Sequence, residues 1–294
     1  QFVLQGGVIR GSKLDANMGG YWVNIGCNST VASCLSNKYQ IAFVVTEHSS
    51  KYLMNKVSRL EKQFVKHTYK NASDVVAVST AHGLALSEYL NGRSCKIIPN
   101  AVDTDFFKIK SGGRNRNSFG FLAIGNLNSN KGFEILIRAF SKVVLAEETE
   151  ARLEIGGAGP LRESLEFLAR SLNISDRVCF LGRRSKREVR EAIGKANTLV
   201  LSSYHETFGI VLVEALSSGV PVIATRCGGP EDVVSSSVGL TVEVGNIDQM
   251  SRALQLVAEG VAFTPSELRD YAIEHFGRLA VAQQIESLYV EARD

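Results

Sequence analysis

From Phe119 to Val242 the chain alternates short apolar runs with longer helical patterns, and that alternation limits the fold more than any other feature. Strands are predicted at Phe119–Ile124, Ala151–Ile155, Val178–Leu181, Thr198–Leu201, Pro221–Ala224 and Gly239–Val242. Helices are predicted between them at Gly132–Ala146, Pro160–Leu172, Lys186–Gly194, Ile210–Ser218 and Pro230–Ser236. Strands that alternate with helices make βαβ units and a parallel sheet. Right-handed crossovers then place helices on both faces. Ligands of such sheets bind beyond the carboxyl ends of the strands. Ile124-Gly125, Gly156-Gly157 and Ser202–Glu206 all fall there.

The 294 residues suffice for two domains, and the six strands complete one Rossmann-like domain. Ahead of it the pattern is thinner. IAFVVT from Ile41 and DVVAVS from Asp74 read as buried strands. A helix over Ala81–Leu90 and a short strand Cys95–Ile98 follow. Pro99 and the polar turn after it end that series, and KIKSGGRNRNS (Lys108–Ser118) has the composition of a linker. Residues 1–40 sustain no period, with at most a short helix at Asn28–Leu35. After the sheet come helices at Gln249–Glu259, Pro265–Glu274 and Leu279–Ala292. The expected organisation is a partial first domain at 1–110, a second at 119–276, and a C-terminal helix at 277–294 that crosses back to the first.

With 45% apolar and 21% charged residues, no apolar run of spanning length and no secretory signal at Gln1, an ordinary globular chain is expected. The absent initiator Met suggests a fragment or a processed chain. Five scattered cysteines (27, 34, 95, 179 and 227) fit a reducing, cytoplasmic compartment better than a disulfide framework or a zinc site. The net charge of +3 is too small to argue for nucleic acid, but it is unevenly spread. Residues 1–100 carry 11 Lys/Arg against 5 Asp/Glu. Much of that surplus lies on a predicted amphipathic helix, Lys51–Lys70. Leu53, Val57, Leu60 and Phe64 form its apolar stripe, beside Lys51, Lys56, Arg59, Lys62, Lys66 and Lys70. Such a face is either solvated or meets an anionic partner, such as the headgroups on the inner face of a membrane.

Four strand-end elements carry the chemistry. Glu206 lies in a turn and Glu214 on the second turn of the next helix, seven residues between them. Helical side chains lean toward the N-terminus, so Glu214 can share the space that Glu206 lines. The helix start beside them attracts phosphate. A polyol and a phosphate side by side would suit this arrangement, although a loop carboxylate and a partly exposed helix carboxylate fit the spacing equally. Lys131 opposes the dipole of the helix it precedes, which calls for an anion such as a diphosphate. An exposed lysine in a polar turn fits too. Gly156–Pro160 and Cys227–Glu231 bring glycine backbone to helix starts, as a ligand cradle or as plain tight turns. The five histidines are dispersed, so no catalytic metal is indicated, and no P-loop sequence occurs.

Together NLNSNKGFEILIRAF, GAGP, FLGR at Phe180–Arg183, ANTLVLSSYHETFGIVLVEALSSGVPVIAT and GGPEDVV resemble the donor domain of retaining glycosyltransferases of family four. VVTEHSS, VVAVS and IIPNAVDTDFF resemble the second half of its acceptor domain. The resemblance covers roughly residues 38–292. It implies an α/β chain of the GT-B fold, with two Rossmann-like domains. The N-terminal one is expected incomplete, the C-terminal one a six-stranded parallel sheet.

The implied activity moves a sugar from a nucleotide-diphosphate-sugar to a glycan or glycolipid acceptor, with retention and without a metal or other cofactor, as in polysaccharide biosynthesis. By resemblance Lys131 neutralises the donor diphosphate and Glu206 holds donor-sugar hydroxyls. Thr207, Phe208, Gly209 and Ile210 bring backbone N–H groups to sugar and phosphate, with Gly157 in the same cradle. Glu214 accepts from the ribose, backbone near Arg183 and Arg184 meets the base, and His48 lines the reaction site. One departure is that Asn126 stands where the family usually has arginine, with Arg184 and Arg226 as candidate replacements. The other is that residues 1–40 do not match the family's opening strand and glycine-rich loop. These departures keep two rivals in view: a non-catalytic nucleotide-sugar-binding remnant, and an epimerase or phosphorylase of the same fold.

Overall fold

A computed structural model describes residues 42–110, 119–147 and 150–291, together with the backbone of three short strands nearer the start. The chain divides into two compact units, Gln1–Asn100 with Val281–Asp294, and Ala101–Ala280.

The second unit holds β7 (Gly120–Ile124), β8 (Arg152–Gly156), β9 (Val178–Gly182), β10 (Thr198–Leu201), β11 (Val222–Thr225) and β12 (Gly239–Val242). They form one sheet in the order β12-β11-β10-β7-β8-β9, with every pairing parallel. This is the six-stranded parallel sheet expected from the alternation. Its helices are α3 (Phe133–Glu147), α4 (Arg162–Ser171), α5 (Lys186–Lys195), α6 (Ile210–Ser217), α7 (Pro230–Val233), α8 (Ile247–Ala258) and α9 (Pro265–Phe276).

On one face Leu136 and Phe140 of α3 and Met250 and Leu254 of α8 are buried with Phe121 and Leu153 of the sheet. Elsewhere α9 packs on α6, whose Leu212, Val213 and Leu216 are fully buried. Burial of an aliphatic or aromatic side chain contributes about 1.5–3 kcal/mol, so these layers hold the strand ends rigidly. Two helices differ from expectation. α3 starts at Phe133 because Gly132 takes the left-handed conformation at φ 60°. α7 has only four residues, because Val234 turns extended.

In the first unit the sheet order is β2-β1-β3-β4-β5-β6. These are β1 (Phe2–Gln5), β2 (Val8–Gly11), β3 (Val23–Ile25), β4 (Val44–Glu47), β5 (Asp74–Ala77) and β6 (Lys96–Ile97). β1 and β2 pair antiparallel, and the remaining neighbours pair parallel. The sequence predicts no strand before Ile41, because strands of three or four residues are too short to show a period. The helix expected at Asn28–Leu35 and the linker residues 111–118 lie outside the described residues.

The helix expected over Lys51–Lys70 is shorter. Residues 51–55 form turns, Asn55 is left-handed at φ 51°, and α1 spans Arg59–Asn71. Ser58 starts it with a capping box to Glu61. Leu53 and Val57 therefore leave the predicted stripe, and Lys51 and Lys56 leave the predicted face. α2 covers Thr80–Leu86. α10 covers Arg278–Glu291, and its Val281 and Leu288 are buried with Val44, Val76 and Ile98.

Candidate functional site

β7 is the first strand of its sheet and lies between β8 and β10, so the chain direction of successive connections reverses there. At such a switch point the loops after the two diverging strands part and leave a crevice. The loop after β7 carries Lys131, and the loop after β10 carries Glu206.

Backbone stitches these loops together. Tyr204 donates its N–H to the Asn130 carbonyl (2.7 Å), Asn130 Nδ2 donates to the His205 carbonyl (2.9 Å), and Ser202 Oγ donates to the Lys131 carbonyl (2.9 Å). Gly132 allows the approach: a Cβ there would lie 2.1 Å from the Ser202 carbonyl oxygen. Lys131 itself ends a 3-10 turn, Ser129–Lys131, that Asn128 caps. The result is a Lys131 Nζ–Glu206 Oε2 ion pair of 2.5 Å, partly shielded from solvent.

Glu206 is held from its other side as well. Its N–H donates to the Cys227 carbonyl (3.2 Å), and its carbonyl accepts from Gly229 (2.7 Å). The Cys227–Glu231 segment, read as a cradle or a tight turn, thus serves as a brace for Glu206. Burial pushes the Cys227 thiol up to about 12, so it stays protonated.

A cavity of about 570 Å³ opens at the ends of β7, β8 and β9. Its lining includes Asn126, Lys131, Gly157, Arg183 and Arg184. Gly157, at φ 147°, packs so closely that a Cβ would lie 1.8 Å from the Gly125 carbonyl oxygen. Close approach of two loops is what this glycine turn requires. Arg184 is oriented by Glu188, which accepts from its Nη1 (2.9 Å), while its Nε is buried without a hydrogen-bond partner. The Ser185 backbone N–H, then the Ser185 hydroxyl and Arg184, lower Glu188 to about 2, so this anchor stays charged. Arg226, the other candidate cation, pairs instead with Glu243 and does not line the cavity.

The remaining sequence-derived residues fall in three places. Phe208 is buried, Gly209 (φ 87°) caps α6, and Ile210 opens that helix with 47% exposure. Thr207 precedes them in the turn after Glu206. Glu214 is half-buried on α6 and does not line the cavity, and desolvation raises its pKa to about 7 against an opposing pull from Lys186. His48 belongs to the first unit, at the end of β4. Sequence reasoning missed Val189, an apolar cavity residue on α5, and Asn130, which joins the two loops. α5 is expected from the sequence at Lys186–Gly194, yet nothing local marks the apolar Val189 as a cavity residue.

Comparison with known proteins gives one consistent picture. The family model described as glycosyl transferases group 1 matches residues 105–275, more than half of the chain. N-acetyl-alpha-D-glucosaminyl L-malate synthase of Bacillus anthracis is 33% identical over 172 residues, 57% of this chain and 44% of its own. The gpi3 subunit of phosphatidylinositol N-acetylglucosaminyltransferase from Schizosaccharomyces pombe is 30% identical over 65% of this chain and 42% of its own. The chain thus spans less than half the length of these two relatives. An uncharacterised glycosyltransferase of Methanocaldococcus jannaschii is 30% identical over 85% of this chain and 67% of its own. Among solved structures, HepE of Anabaena in complex with UDP and glucose superposes with a TM-score of 0.79. It is 21% identical, over 92% of this chain and 78% of its own. Sucrose-phosphate synthase of Thermosynechococcus elongatus gives a TM-score of 0.81 at 22% identity, over 92% of this chain and 73% of its own.

Proposed function

The chain belongs to the glycosyl transferases group 1 family, and from that membership we propose that it moves a sugar, with retention, from a nucleotide diphosphate to a glycan or glycolipid acceptor. The observation that carries this reading is the Lys131–Glu206 pair at the switch point, beside a cavity that Lys131 and Arg184 share. Each of the pair satisfies the other. A bound donor would insert between them, its diphosphate on Lys131 and its sugar hydroxyls on Glu206. Arg183 and Arg184 line the cavity beside Lys131, and Arg184, held by Glu188, would offset the arginine that Asn126 replaces. Glu214 would accept from the ribose, and the start of α6 would meet the phosphate.

In the reaction the bond from the anomeric carbon to the β-phosphate oxygen breaks, and the diphosphate leaves with the electron pair. The acceptor hydroxyl attacks from the same face and passes its proton to the departing phosphate. Lys131 and the helix end stabilise the charge that develops, the kind of contribution worth about 100-fold or more in rate. The test is turnover of a nucleotide-sugar panel by Lys131→Ala. A fall of about 100-fold supports the reading, and unchanged turnover removes Lys131 from the chemistry. Asn126 favours one rival, a chain that binds nucleotide-sugars without turning them over. Binding with no turnover by the unaltered protein would select that rival.

We also infer that α1 rests on an anionic membrane surface. Leu60 and Phe64 lie one turn apart with 70% and 58% exposure. Arg59, Lys66 and Lys70 occupy the neighbouring arc of the exposed face, and Glu61 lies away from it. Lys62 is pulled aside by Glu88 and Lys51 by Glu61, which narrows the basic face to those three residues. No described helix is long and apolar enough to cross a membrane. Vesicle sedimentation with phosphatidylserine should fall at least about tenfold in Leu60→Glu/Phe64→Glu, since the two apolar side chains contribute several kcal/mol when inserted. Equal sedimentation would end this inference.

A further inference from the structure

Beneath the turn that carries His48 lies a buried carboxylate. Glu47, at the end of β4, is 3% exposed. Its Oε1 accepts the backbone N–H groups of His48 (2.9 Å) and Ser49 (2.9 Å). Its Oε2 accepts the hydroxyls of Tyr52 (3.1 Å) and Tyr69 (3.1 Å), which also meet each other at 3.3 Å. Tyr69 belongs to α1 and is 2% exposed, and Tyr52 is 8% exposed. A carboxylate offers about four lone-pair sites, and these donors fill them.

One oxygen grips the turn and the other grips the core, so the carboxylate works as a rigid link between them. Burying a carboxylate is costly unless its oxygens are hydrogen-bonded throughout, as they are here. His82 of α2 is fully buried close to this turn: burial lowers its pKa, while Glu47 and the Ser49 backbone pull it the other way. Glu47 is therefore the anchor that holds the His48–Ser49 backbone in place. His48 itself is exposed.

We propose that Glu47 is a positioning residue: by tying the His48 and Ser49 amides to Tyr52 and Tyr69 it fixes where His48 points. That His48 faces the reaction rests on the transferase reading, but the positioning by Glu47 can be tested without any substrate.

The experiment is residue-resolved amide exchange with histidine-ring NMR titration, on the whole chain, for the unaltered protein, Glu47→Gln and the double variant Tyr52→Phe/Tyr69→Phe. Glu47→Gln should speed exchange at His48 and Ser49 at least tenfold relative to Val75 and Val76 of β5. Because the Glu47 charge opposes the desolvation that lowers the His48 pKa, the His48 ring midpoint should fall further in this variant. The double variant keeps the carboxyl group but cuts the tether, so it should speed the same two amides. It also serves if Glu47→Gln fails to fold. Exchange at His48 and Ser49 that stays at the original rate, or that rises no more than in β5, would overturn the proposal. Failure of nucleotide binding would contradict the transferase reading and leave this result standing.

Discussion

Lys131 and Glu206 are bonded to each other, so either can serve a ligand only by exchanging partners. The proposed roles therefore separate by variant. Glu206→Gln should weaken a nucleotide-sugar by about 1.5–3 kcal/mol, the range for hydrogen bonds to a charged group. It should leave the free nucleoside diphosphate bound as well or better, because Lys131 is released. Lys131→Ala should weaken both. Calorimetry with the diphosphate and its sugar checks the split, and equal losses for both ligands in Glu206→Gln would remove Glu206 from the sugar.

Glu214 gives a second prediction. Its folded pKa near 7 lies above the ordinary value of 4.5, so between these pH values the folded chain holds a proton that the unfolded chain releases. Stability from this group is present at low pH and is lost as pH rises toward 7. Glu214→Gln should therefore stabilise the protein by about 3 kcal/mol at pH 8, with the gain fading toward pH 4. The same change should weaken nucleotide binding if Glu214 holds the ribose. Denaturant melts at the two pH values measure the first effect, and a gain that does not depend on pH would refute it.

At the scale of elements, the glycine loops prove to be structural conditions for the site. Gly157→Ala forces a Cβ against the Gly125 carbonyl, and the two loops must part. The expected cost exceeds about 3 kcal/mol, as for overpacking combined with backbone strain. A urea midpoint within error of the unaltered protein would show that the loops yield easily.

This is also the scale at which the sequence was least informative. The Gly156–Pro160 turn could be read as ligand cradle or tight turn, because glycine spacing does not reveal what approaches the backbone. The helix expected from Lys51 failed for a local reason. Apolar spacing continued through Leu53 and Val57, while Asn55 and the Ser58–Glu61 box set the real start at Arg59. Periodicity reports which side chains share a direction, and capping decides where a helix begins. Residues such as Asn130 stayed hidden because their role is a contact across 75 positions, which no local pattern carries.

At the scale of the whole molecule, the α/β class and the six-stranded sheet were legible because each strand and helix announced itself by its own period. Convergence of Lys131 with Glu206 was not legible from spacing. It follows from sheet order, since placing β10 beside β7 brings their loops together. The family resemblance supplied that pairing, and the switch point gives its physical reason.

The central claim is that this crevice binds a nucleotide diphosphate. The most direct measurement is a thermal-shift panel of UDP, GDP and ADP on the unaltered protein and Lys131→Ala. A ligand at 100 times its Kd stabilises by about 2.7 kcal/mol, which in a unit of this size raises Tm by about 5–10 °C. One of the three should produce such a shift in the unaltered protein and little or none in Lys131→Ala. No shift with any nucleotide, or a full shift that survives in Lys131→Ala, would contradict it.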